Sequence, residues 1–181
     1  MTGSPEGFGI GERAPAFELP DTEGATHSLA DADGAPATVV VWTCNHCPYA
    51  LAWHERIVDA ARAYGSHGVR FFAINSNDAD RYPADSLEAM RERAAQEEWP
   101  FPDLHDESQG VARAWDAKVT PHVYVLDAEH RLRYRGAPDP AYDEPAHNAS
   151  WLREAIDAVL AGDEPARPET DPVGCSVKWR R

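Results

Sequence analysis

Apolar and polar positions fall into blocks of two different periods. Ala37 to Trp42 (ATVVVW) is a nearly unbroken β-branched run, which predicts a strand buried on both faces. From Pro48 to about Ser66 the period lengthens. Trp53, Ile57, Ala60 and Tyr64 recur at spacings of four, three and four, one stripe of a helix. Pro48 is tolerated in the first turn, where its missing N–H would be unpaired anyway. Gly65 and Gly68 end that segment, and Val69 to Asn75 (VRFFAIN) predicts a second buried strand. Asp85, with Glu88 three residues on, predicts a capping box opening a helix to about Glu98, stopped by Pro100 and Pro102. Glu107 to Ala114 predicts a short helix. His122 to Asp127 (HVYVLD) and Leu132 to Arg135, joined through Ala128-Glu129-His130, predict an antiparallel hairpin. After a proline-rich loop, Asn148 is the expected cap of a last helix. Its core face is Leu152, Ile156 and Val159 or Leu160, and Gly162 is its stop. Near the start, Ala16 to Leu19 and Thr26 to Leu29 flank the turn Asp21 to Gly24, a short hairpin.

The leading β-α-β order calls for a right-handed crossover and a parallel pair. The closing β-β-α order adds antiparallel strands. An α/β fold results, with a central mixed sheet flanked by helices on both faces. A chain of 181 residues fits one such domain. We expect a flexible lead-in at 1–14, the domain at 15–162 and an extended tail at 163–181.

Composition narrows the function classes. Seventeen basic against 31 acidic residues give a net charge of −14, which excludes the basic footprint of a nucleic-acid binder and disfavours anionic membranes. No apolar run approaches the ~18 residues of a membrane span. The N-terminus has neither a basic start nor an apolar leader core, so a cytoplasmic protein is expected. Three cysteines, an odd number, do not suit a secreted disulfide framework.

Two of those cysteines stand in Cys44-Asn45-His46-Cys47, between a predicted buried strand and a predicted helix start. A free thiol has a pKa near ~8.5, and the unpaired N–H groups and positive dipole end of a helix N-terminus favour its anion. Two intervening residues let one sulfur reach the other. The expected roles are Cys44 as the more exposed nucleophile and Cys47, inside the helix, as the resolving thiol. The competing possibility is a structural zinc site. Zinc needs four ligands in a closed site. Only Cys175 remains among the cysteines, and no histidine stands at finger-like spacing, so redox chemistry is favoured.

Strand, W-T-C-x-x-C-P, helix, then Thr120-Pro121 before a strand resembles the thioredoxin superfamily over about residues 12–161. The leading hairpin, residues 79–104 and the HVYVLD strand look more like its redoxin, peroxiredoxin-like branch. The C-N-H-C-P-Y motif and the ending Gly174-Cys175-Ser176-Val177-Lys178-Trp179 resemble bacterial thioredoxin-family proteins of that branch. The resemblance implies a thioredoxin-like fold and a thiol–disulfide oxidoreductase without metal or organic cofactor. It implies a disulfide or peroxide substrate and a thioredoxin-type or low-molecular-weight thiol reductant. It makes Pro121 a cis proline facing the two cysteines, with Thr120 offering backbone groups to a bound partner. By similarity to disulfide-forming oxidases with C-P-H-C, His46 would stabilise the Cys44 thiolate. A lower thiol pKa makes such a disulfide more oxidising.

The chain departs from its relatives in places. Thr38 and Ala50 stand where thioredoxins and tethered reductases carry a buried acid, so no proton acceptor for Cys47 is identified; His54 and Glu55 are two turns on. A thiol-dependent peroxidase is the second reading. There a Thr-x-x-Cys and an arginine would orient the peroxide, but Cys44 holds the threonine's place and Arg135 is the distant arginine. A third reading is a non-catalytic zinc-stabilised or partner-binding module. Cys175 reads as a third redox cysteine, an intermolecular partner or a bystander, and Val173, Val177 and Trp179 could pin its tail to the body. Trp42 and Tyr49 flank the motif as a candidate apolar rim for a partner, with core packing the alternative for Trp42.

Overall fold

The computed structural model describes residues 7–181. A five-stranded sheet runs in the order β5 (Asp103–His105), β4 (Arg70–Asn75), β3 (Ala37–Trp42), β7 (His122–Asp127), β8 (Leu132–Gly136). The first three strands are parallel, and β7 and β8 join antiparallel. The short hairpin β1 (Glu18–Pro20) and β2 (Thr26–Ser28) precedes it.

β3 is buried along its whole length because both faces are covered. Ala37, Val39 and Val41 pack under α1 (Pro48–Gly65) and α4 (Ser150–Leu160), with Trp53, Ile57, Leu152 and Ile156. Val40 and Trp42 point the other way, into a layer with Phe72, Ile74, Tyr124, Leu126 and Trp115 of α3 (Gly110–Trp115). The period-two alternation of a two-sided strand thus splits one apolar run into two cores. α2 (Leu87–Gln96) buries Met90.

Two helix starts differ from expectation. Ser86, not Asp85, caps α2, its Oγ accepting from Ala89 N–H at 3.2 Å. A short 3-10 turn at Pro83–Asp85 rotates Asp85 into the protein. Ala149, not Asn148, occupies the cap of α4. Its N–H donates to Asp139 Oδ2 at 2.9 Å, and Asp139 is held by Arg56 Nη1 at 2.9 Å and by Trp53 Nε1 at 2.9 Å. That buried pair ties the proline-rich loop to α1.

The expected lead-in falls partly outside the described residues. From Phe8 on it is tied down: Phe8 packs edge-on against Trp115 at 5.2 Å, and Gly11 N–H donates to Leu132 O at 2.7 Å. The tail is bound as well. Thr170 N–H donates to Arg135 O at 3.1 Å, along the edge of β8. Further on, β9 (Cys175–Ser176) pairs antiparallel with β6 (Val119–Thr120), and Val177 enters the core. Lys178 N–H donates to Asn77 Oδ1 at 2.8 Å, and Asp78 N–H donates to Lys178 O at 2.8 Å. No helix among the described residues is long and apolar enough to cross a membrane.

His122, on β7, is buried and neutral: burial, reinforced by the Arg135 and Lys118 charges, pushes its pKa down to about 3. Its Nδ1 accepts from Lys118 N–H at 3.2 Å. The unfolded chain takes up a proton there below about 6.5, while the native state resists it. Stability is therefore lost as pH falls from about 6.5 toward 3. His122→Asn, which keeps an acceptor for Lys118 N–H, should shrink the loss between pH 7 and pH 5 by about 1–2 kcal/mol. Urea unfolding at the two pH values measures it, and equal losses in both proteins would refute the assignment.

Candidate active site

The sheet delivers the C-x-x-C at its carboxyl end. Thr43 N–H donates to Ile74 O at 2.9 Å, extending the β3–β4 ladder one residue past Trp42. The chain then turns through Cys44-Asn45-His46, and Cys47 is the N-cap of α1, with Pro48 in the first turn. Cys47 is thus at the helix mouth rather than inside it. Neither thiol is exposed: Cys44 and Cys47 are both at 0%. The expected greater exposure of Cys44 is not found, because β6 and the tail cover the turn.

Facing the pair is Thr120, joined to Pro121 by a cis peptide bond, as the resemblance implied. Thr120 Oγ1 lies 3.3 Å from Cys44 Sγ, and the protonated Cys47 thiol donates to Thr120 O at 3.3 Å. Pro121 and Thr120 are both buried. All three cysteines are free thiols, and Cys175, half-buried, packs against Cys47.

Hydrogen bonding decides which sulfur carries charge. Cys44 donates to Cys47, which pushes the Cys44 thiol up, as do its burial and the nearby Asp85 charge. Cys47 is held low, chiefly by that bond from Cys44, with further donation from Cys175 and from Ala50 N–H in the first turn of α1. A thiolate at Cys47 would lie at the positive end of the helix, the placement these shifts favour. Cys175 is pushed up to about 11 by burial and by its bond to Cys47.

Asp85, fully buried, organises the turn. It accepts from Asn45 N–H (2.7 Å), Asn75 Nδ2 (3.1 Å) and Asn77 Nδ2 (3.1 Å), and binds His46 Nδ1 at 2.5 Å. The His46 ring also stacks on Tyr82 at 5.1 Å. Arg93, from α2, donates to Cys44 O at 3.1 Å and Asn45 Oδ1 at 3.0 Å. The sequence assigns neither residue to the site. The D-S-L-E run at Asp85 reads as a cap, and nothing local to Arg93 marks its destination.

Other candidates lie elsewhere. Trp42 is not a rim residue: it is fully buried, its Nε1 donating to Ser76 Oγ at 3.0 Å. Tyr49 is partly exposed, edge-on to Tyr142 at 4.5 Å. His54 is buried against Glu97 and Trp99, its pKa pushed down to about 4 by burial, and Glu55 is exposed. Arg135 is engaged with Glu169 and Phe8 O. For a metal, Cys44, His46 and Asp85 each bring one ligand atom within 4.8 Å of the others. That is three donors, one short of a closed zinc site, and His46 and Asp85 already bind each other.

A dithiol at the carboxyl end of a parallel strand, capping a helix and facing a cis proline, defines a thiol-based redox protein of thioredoxin-like fold. A known structure assigned as the thiol:disulfide interchange protein DsbE of Chlorobium tepidum shares that fold. Its TM-score is 0.67 at 21% identity, over 84% of this chain and 98% of that one. Residues 10–135 match the AhpC/TSA family, and the chain belongs to it. An uncharacterized conserved protein from Geobacillus kaustophilus is 38% identical, with a TM-score of 0.91 over 99% of this chain and 98% of that one. A hypothetical protein from Sinorhizobium meliloti 1021 is 36% identical, with a TM-score of 0.90 over 96% of both chains. No curated protein matches the chain.

Proposed function

We propose that the chain is a thiol–disulfide oxidoreductase whose Cys44–Cys47 dithiol exchanges with disulfides. The observation that carries this reading is the pair of buried thiols held on Thr120, beside the cis Thr120–Pro121 bond and at the mouth of α1. Cys47 supplies the thiolate, and Cys44 closes the internal disulfide. Thr120 holds both sulfurs in place. His46 and Asp85 fix the turn between them and act as positioning residues. Substrates are disulfides, and electrons come from a thioredoxin-type or low-molecular-weight thiol.

Peroxide reduction is less well supported. The family match admits it, but Arg135, the arginine that reading calls on, is engaged with Glu169 and Phe8 O, and Arg93, beside the turn, is engaged with Cys44 O, Asn45 and Glu97. Neither guanidinium is given over to a thiol sulfur. A zinc-stabilised module would need a fourth ligand beyond Cys44, His46 and Asp85.

The test is equilibration in glutathione buffers with thiol trapping and peptide mapping, together with metal analysis. A Cys44–Cys47 disulfide should form with a midpoint between about −270 and about −120 mV, the span of thioredoxin-fold dithiols. No such disulfide at any poise, with about one zinc per chain, would replace the reading by the module.

A further inference from the structure

The tail strand poses a problem for any oxidoreductase reading. An incoming chain would be expected to pair with the backbone at Val119–Thr120, but β9 already occupies that edge, Thr120 against Cys175. The fit is close. A Cβ on Gly174 would lie 2.1 Å from Thr120 O, so only glycine lets the strand approach this nearly. On its far side the strand is anchored by Val177 in the core and by the Lys178 backbone on Asn77 and Asp78. With the strand seated, both thiols of the pair are sealed from solvent, while Cys175 is half-buried and touches Cys47.

We propose that Cys175 is the port of the buried dithiol: held by the tail strand, it exchanges with disulfides outside and passes the oxidising equivalent inward to Cys47 and then to Cys44. This rests on the oxidoreductase reading above and assigns its point of contact. Cys175 thiolate attacks a disulfide R–S–S–R′, forming a mixed disulfide and releasing R′S⁻. Cys47 thiolate attacks Cys175 Sγ, forming Cys47–Cys175 and releasing RS⁻. Cys44, deprotonated, attacks Cys47 Sγ, forming Cys44–Cys47 and freeing Cys175. One disulfide has been reduced to two thiols and one dithiol oxidised. The two protons of the dithiol end on RSH and R′SH. The same steps reversed let a thiol reductant recharge the protein through Cys175.

The hydrogen bonds favour the relay in the reductive direction, with the pair behind the port oxidised. The bond to Cys47 helps hold the Cys175 proton in place in the reduced protein, while Lys178 favours its anion. Once Cys47 is tied to Cys44, that bond is gone and the Lys178 charge remains. The port is thus readier to react when the pair behind it is oxidised and awaits reduction.

Two full-chain variants test this with glutathione disulfide as the probe. In Cys44→Ser, peptide mapping should find an intrachain Cys47–Cys175 disulfide rather than a lasting glutathione adduct on Cys47. In Cys175→Ser, oxidation of the Cys44–Cys47 pair should slow by about tenfold or more against wild type. Absence of the Cys47–Cys175 disulfide, or an unchanged rate in Cys175→Ser, would overturn the port. If wild type still forms Cys44–Cys47 in that case, the oxidoreductase reading stands without it. If wild type forms no Cys44–Cys47 disulfide, both fall.

Discussion

Asp85→Ala should destabilise the protein by about 3–5 kcal/mol, the usual cost of removing one partner from a buried polar network. The carboxyl sits at 0% exposure with four hydrogen-bonding partners: Asn45 N–H, the Asn75 and Asn77 amides and the His46 ring. Alanine would leave all four without that partner, the Asn75 and Asn77 amides in the buried interior. For a chain of this size the thermal midpoint should fall by about 6–20 °C. Asp85→Asn separates shape from charge. It keeps an acceptor and the volume but removes the negative charge that helps push the Cys44 thiol up. The Cys44–Cys47 disulfide of Asp85→Asn should then be easier to reduce, its midpoint in glutathione buffers moving toward more oxidising values. Calorimetry and the redox titration check the two halves. A thermal midpoint for Asp85→Ala within a degree or two of wild type would mean the network contributes nothing.

Asp85 also marks where local reading of a sequence fails. The D-S-L-E run satisfies a capping box at Asp85, but Ser86 is itself a favoured cap residue, and the choice is made by Asp85's contacts with Asn45 and His46, 40 and 39 residues away. The turn at Pro83–Asp85 points Asp85 inward, and no periodicity reports that. For Trp42 the core alternative is the one the structure shows, for a related reason. At the end of a strand buried on both faces there is no solvent side, so its phase with Val40 sends it into the core. What was legible was strongly patterned: the β3 run, the Pro48 helix start, the HVYVLD hairpin and the cysteine spacing between strand and helix. The cis proline was legible only through resemblance. The tail lay between these cases. Val177 and Trp179 are apolar residues without a period, which signals anchoring. The register that sets Cys175 beside Cys47 depends on a two-residue strand and on Gly174, which carry almost no pattern of their own.

Cys47→Ser should be the most damaging substitution for activity, lowering turnover by about three orders of magnitude or more, as loss of an essential nucleophile does. The reason is position. Cys47 is the sulfur that touches both others: it accepts from Cys44 on one side and from Cys175 on the other. Cys44→Ser leaves the Cys47–Cys175 pair, which can still exchange with a disulfide and be reopened by a thiol at Cys175. Cys175→Ser leaves the Cys44–Cys47 pair, slow to load but able to cycle. Cys47→Ser leaves neither pair. A serine hydroxyl cannot form a disulfide, and at the helix mouth it is not ionised at neutral pH. Turnover of glutathione disulfide with a thiol reductant, measured for the three variants side by side, should place Cys47→Ser well below both Cys175→Ser and Cys44→Ser. Thermal midpoints close to wild type would show that the ranking reflects chemistry, since serine nearly preserves the volume of each buried thiol. Equal activity in Cys47→Ser and wild type would remove the central sulfur from the reaction, and with it the assignment of the thiolate to the helix mouth.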